Sequence, residues 1–97
     1  MNSFNLSVVK KRKNTRKRKL IFDQKGLQIF ALQLKKVRED QELTQEQLAF
    51  ESGIALSQIA RIETAKINPT LSTIFAITRT LNIPLSTLFD FELPPSK

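Results

Sequence analysis

Residues 44–63 read TQEQLAFESGIALSQIARIE. Thr44 followed three positions later by Gln47 is a capping box, in which the hydroxyl and the amide side chain satisfy two backbone N–H groups at a helix start. Leu48 and Ala49 then face inward, and the helix stops at Ser52–Gly53, where glycine suits the left-handed residue that ends helices. After a very short turn a second helix is predicted over about residues 55–64, with Ile59 and Ile62 inward at i and i+3. Ala49 is small where the two helices cross, and Ile54 is an apolar plug in the turn. Leu48, Ala49, Gly53, Ile54, Ile59 and Ile62 thus define two short helices folded sharply against each other.

Further helices flank this pair. Upstream, Leu27, Phe30, Leu34 and Val37 recur at spacings of 3, 4 and 3, which predicts a helix over 24–40 with Asp23 as N-cap. Gly26 in its first turn reads as a weak point, and Ile29 and Leu32 outside the stripe suggest a second buried face. Downstream, Thr70 caps a helix over about 71–81, with Leu71, Ile74, Ile77 or Thr78, and Leu81 inward. Asn82 stops it. Pro84 opens a last short helix that runs to Leu88 or Phe89. The tail from Phe91 carries two prolines and reads as irregular.

Composition narrows the function classes. The 97 residues hold no Cys and no His, so disulfides, thiolate metal sites, the commonest zinc ligand and the commonest general base are absent. Two glycines are too few for a phosphate-cradling loop. No metal, cofactor, small-molecule effector or catalytic constellation is expected. No apolar run approaches the roughly 20 residues of a membrane span, and residues 3–9 are too short for a signal-peptide core. A soluble, cytoplasmic, non-enzymatic protein is the expectation.

The net charge of +7 is unevenly placed. Residues 10–19, KKRKNTRKRK, hold Lys10, Lys11, Arg12, Lys13, Arg16, Lys17, Arg18 and Lys19, eight of the sixteen basic residues, with no acid. Such a run repels itself and is expected to form an extended or disordered arm. Neutralising about six phosphates would give a slope near −5 in log K against log salt. Arms of this kind also enter narrow minor grooves. The expected division is residues 1–22 as an N-terminal segment, 23–90 as the folded domain and 91–97 as a tail.

Two helices joined by a glycine turn form a helix-turn-helix unit, which holds its second helix out for a DNA groove. The pieces LKKVRE (34–39), LTQEQLA (43–49), GI (53–54), SQIARIE (57–63), NPTLSTI (68–74) and LNIPLSTLF (81–89) occur in an order and spacing that resemble the Cro/C1-type (XRE-like) helix-turn-helix family, the fold of lambdoid phage repressors. The resemblance spans about residues 30–89. It implies an all-α, five-helix lambda-repressor-like bundle that binds double-stranded DNA as a dimer.

By that resemblance, the helix over 55–64 is the recognition helix, with Leu56, Ser57, Ala60 and Arg61 facing bases. Arg61 suits a bidentate contact to guanine and Leu56 a thymine methyl. Thr44, Gln45, Ala55, Gln58, Lys66 and Asn68 fall to the phosphate backbone. Arg38 and Glu63 match a structural salt bridge, and Phe75, Leu85, Phe89 and Phe91 match a dimer face. Three positions depart from the pattern: Ala55 where Ser or Thr usually caps, and Ala65 and Glu42 where Gly is usual. The competing expectations are an antitoxin-like or other protein-interaction module of the same fold, and a non-specific nucleic-acid binder driven by the arm.

Overall fold

The computed structural model describes residues 20–95, and the expectations for residues 1–19, the basic arm included, lie outside them. Among the described residues five helices follow one another: α1 (Gln24–Asp40), α2 (Gln45–Ser52), α3 (Leu56–Glu63), α4 (Leu71–Leu81) and α5 (Leu85–Leu88). Among the described residues there is no strand, and no helix is long and apolar enough to cross a membrane.

Three of the helix starts carry a side-chain cap. Asp23 caps α1 by accepting from the Gly26 N–H at 2.9 Å. A Cβ at position 26 would meet Asp23 Oδ2 at 2.9 Å, so a larger residue there would require the capping carboxylate to shift. The Thr44–Gln47 box forms in both directions, and Thr70 accepts from the Thr73 N–H. Helix α3 begins at Ala55 with no side-chain cap.

The helix ends share one device. Glu42, Gly53, Ala65 and Asn82 all adopt positive φ, at 60°, 75°, 58° and 55°. After α1, α3 and α4 the next two amides reach back in paired bonds: Leu43 and Glu42 to the Arg38 and Glu39 carbonyls, Lys66 and Ala65 to Arg61 and Ile62, Ile83 and Asn82 to Thr78 and Arg79. These are Schellman stops, which normally use glycine because a Cβ is strained there. None of these three uses glycine; Gly53 ends α2.

The core joins all five helices through Phe30, Leu34, Val37, Leu48, Ala49, Ile59, Ile62, Ile74, Ile77, Leu81 and Leu88, with Leu43, Ile54, Ile67, Ile83 and Phe91 packed on its margin. Burial of these side chains supplies the main driving force. Two glutamines of α1 and its C-cap, Gln41, tie later elements to it. Gln24 donates to the Ala65 carbonyl, Gln33 to Thr87 and Gln41 to Leu81, at 3.1, 2.8 and 2.8 Å.

Two expectations about the core are corrected. Leu71 is 65% exposed. It keeps the register of the α4 stripe but stands at the first turn, beside an open apolar cavity of about 550 Å³ that none of the described residues covers. The second face of α1 is not buried in the single chain either: Leu32 is exposed and Ile29 half-buried. Ala31 goes inward instead.

Candidate nucleic-acid interface

Helix α3 is amphipathic in the sense a groove-reading helix requires. Ile59, Ile62 and Glu63 are buried against α1 and α2, while Ala55, Leu56, Ser57, Arg61 and Thr64 are exposed. Gln58 and Ala60 are half-buried. The outward strip thus carries one guanidinium, one hydroxyl and one large apolar side chain. Of the four expected base-facing residues, Leu56, Ser57 and Arg61 stand free, and Ala60 sits lower, against the shoulder of the helix.

The backbone-facing set surrounds this strip. Thr44 is exposed at the start of α2, and Lys66 and Asn68 are exposed in the loop after α3. Gln45 is half-buried and already engaged, its Nε2 donating to Glu63 Oε1 at 2.9 Å. A primary amide has two N–H groups, so one remains for a further acceptor. No spacing rule announces this tie between the start of α2 and the end of α3.

The Arg38–Glu63 pair fixes α3 on α1. Arg38 Nε donates to Glu63 Oε2 at 2.7 Å and Nη2 to Oε1 at 2.9 Å, while Nη1 donates to the Leu43 carbonyl at 2.6 Å. Both side chains are buried, and among the described residues no buried polar side-chain atom is left unpaired. The hydrogen bond to Glu63 holds the Arg38 guanidinium above its ordinary pKa. Burial works against this, and the charges of Glu63 and Glu39 reinforce it. The bidentate fork sets the rotation of α3 as well as its position, which decides which side chains face outward.

The helix-turn-helix family model matches residues 34–88, which include the whole α2–α3 unit and its supports. The chain belongs to this helix-turn-helix family. It is 38% identical over 59 residues to the immunity repressor protein of Bacillus phage phi105, a match covering 61% of this chain and 41% of the repressor. The chain therefore spans about two fifths of that relative's length. Among solved structures, the restriction-modification controller protein C.AhdI from Aeromonas hydrophila superposes with a TM-score of 0.64 and 33% identity, over 65% of this chain and 96% of that one. The controller protein C.Esp1396I, seen as a tetramer with its natural 35 base-pair operator, superposes with a TM-score of 0.62 and 28% identity, over 66% of this chain and 84% of that one.

The expected dimer face is only partly assembled. Phe89 stacks on Phe30 with ring centroids 5.4 Å apart, and Phe91 lies 6.3 Å from Phe89, so both rings also serve the margin of the core. Phe75, Leu85 and Phe89 keep substantial exposed area, and Leu71 still more.

Proposed function

We propose that this protein is a sequence-specific, double-stranded-DNA-binding regulator of transcription, working in the cytoplasm as a homodimer and carrying no catalytic site. Helix α3 enters the major groove. Arg61 and Ser57 read base edges, and Leu56 and Ala60 pack on them. Thr44, Gln45, Ala55, Gln58, Lys66 and Asn68 position the backbone of the duplex. The dimer pairs through the region of Phe75, Leu85, Phe89 and Phe91, so that two recognition helices meet two half-sites about one turn apart. Residues 23–90 form the binding domain, and the arm at 10–19 adds salt-dependent affinity.

The observation that carries this reading is the state of α3. One face is locked into the core by Ile59, Ile62 and the Arg38–Glu63 fork, and the other is left bare. The relatives agree with it: one is named a repressor, and one controller protein was solved on its operator. Selection of duplexes from a random pool at moderate salt tests it. Enrichment of a two-fold symmetric sequence is expected, and no enrichment overturns it.

A second reading, a protein-interaction module of the same fold, is favoured by one feature. The apolar cavity between the start of α1, the start of α4 and the tail stays open. A pull-down that recovers a partner lost on substitution of Leu71, which lines that cavity, together with an unenriched DNA pool, would select it.

A further inference from the structure

Gln45 differs from its neighbours in the backbone-facing set. Thr44, Lys66 and Asn68 are exposed, and the Thr44 hydroxyl turns back to the Gln47 N–H of its own helix. Gln45, the first residue of α2, is half-buried and reaches across to the last residue of α3, Glu63. A carboxylate only accepts, so the amide nitrogen and not its oxygen must face Glu63. Arg38 closes a ring around this bond. It grips Glu63 through Nε and Nη2 and, through Nη1, the carbonyl of Leu43, two residues before Gln45. The main chain leading into Gln45 and the Gln45 side chain are thus both fixed relative to the end of α3.

Resting on the proposal that α3 reads a groove and Gln45 holds a phosphate, we propose that Gln45 is a specificity-determining residue although it touches no base. Its amide bridges two anions, with one N–H on Glu63 and the other on the phosphate. The bridge ties the place of that phosphate to the rotation of α3, and so to where Arg61, two residues before Glu63, meets a base edge. Gln45 and Arg61 are satisfied together only at one register of the duplex. The Lys66 ammonium, exposed on a flexible four-carbon stem, imposes no such relation. Backbone contacts carry no sequence information directly. This one acquires it through Glu63.

Gln45→Met keeps the length of the side chain and removes both N–H groups. Glu63 retains its two bonds from Arg38, so no buried charge is orphaned. Lys66→Gln is the untied comparison, and Arg61→Ala marks the base pair that Arg61 reads. Full-length chains are titrated with the duplex enriched from a random pool by the unmodified chain, and with its single-base-pair variants. Discrimination is the ratio of two affinities of one chain, so a smaller folded fraction cancels from it. Gln45→Met should bind the enriched duplex about tenfold or more weakly. It should also shrink discrimination at the Arg61 base pair by about twofold to tenfold, as expected within one hydrogen-bonded network. Lys66→Gln should weaken all duplexes alike and leave every discrimination in place. A loss in Gln45→Met that is equal on all duplexes, or no loss, overturns the proposal and leaves the groove reading intact. An unenriched pool, or an Arg61→Ala chain with every discrimination unchanged, overturns both.

Discussion

Replacing Glu63 by Gln tests whether the end of α3 is held by charge. The substitution keeps the size of the side chain and removes its negative charge. One of the two oxygens becomes an amide that points N–H groups at donors. In the folded protein those oxygens take Arg38 Nε, Arg38 Nη2 and Gln45 Nε2. A buried guanidinium would be left without its anion, which costs about 3–5 kcal/mol. A domain of this size has roughly 4–11 kcal/mol in total at 0.05–0.15 kcal/mol per residue. The variant should therefore lose about a quarter or more of its stability in urea unfolding followed by circular dichroism. The paired replacement Arg38→Met with Glu63→Leu removes both charges and fills the space, and should recover most of the loss. The loss should also be insensitive to pH from about 6 to 9. A folded-state pKa raised above the ordinary arginine value contributes stability that is full below that value and fades only as pH rises beyond it. A Glu63→Gln loss under about 1 kcal/mol, or a double variant as unstable as the worse single one, would refute the reasoning.

Three other outcomes follow from the same geometry. Glu42 is exposed with φ 60°, so Glu42→Gly relieves about 1–2 kcal/mol of left-handed strain and loses about 0.4–1 through a freer unfolded chain. A net gain of about 0.5–1 kcal/mol, several degrees in melting temperature, is expected, and a fall in melting temperature would contradict it. Changing Lys10, Lys11, Arg12 and Lys13 together to Gln should flatten the slope of log K against log salt by roughly 3–4; titrations on one duplex at several salt concentrations read this, and an unchanged slope discards the arm. Phe75→Lys should shift sedimentation at micromolar concentration from dimer to monomer, and a parent chain that is already monomeric there removes the proposed dimer face.

The fold was legible wherever one residue type has one local use. The Thr44–Gln47 box, Gly53 and the α3 stripe of Ile59 and Ile62 were all readable, because capping, positive φ and helical period act within a few positions. Leu71 misled for a different reason. Periodicity tells which way a side chain points and not whether anything stands opposite it, and at the first turn of α4 the described residues leave an open cavity. The three glutamine ties from α1 and its C-cap to carbonyls 40, 41 and 54 residues away were invisible, since an amide donor shows no spacing rule toward a distant backbone. Glu42 and Ala65 stand in a conformation their side chains resist, and only the family pattern pointed to it.

The candidate interface divides its labour unevenly. Position is well provided for, with the Arg38–Glu63 fork, the Gln45 tie and the Gln24 tie all ending on α3 or on the loop behind it. Reading is sparse, since Leu56 and Ala60 offer no hydrogen bonds and α3 lacks a side-chain cap. One good bidentate contact discriminates by about 1–3 kcal/mol, whereas specific sites are typically preferred by about 4–10. A single α3 with one arginine falls short of that range, and two related by symmetry reach its lower part. On this account dimerisation supplies specificity as much as affinity. Under the proposed function, the exposed apolar area at Phe75 and Leu85 would then matter to DNA reading as much as Arg61.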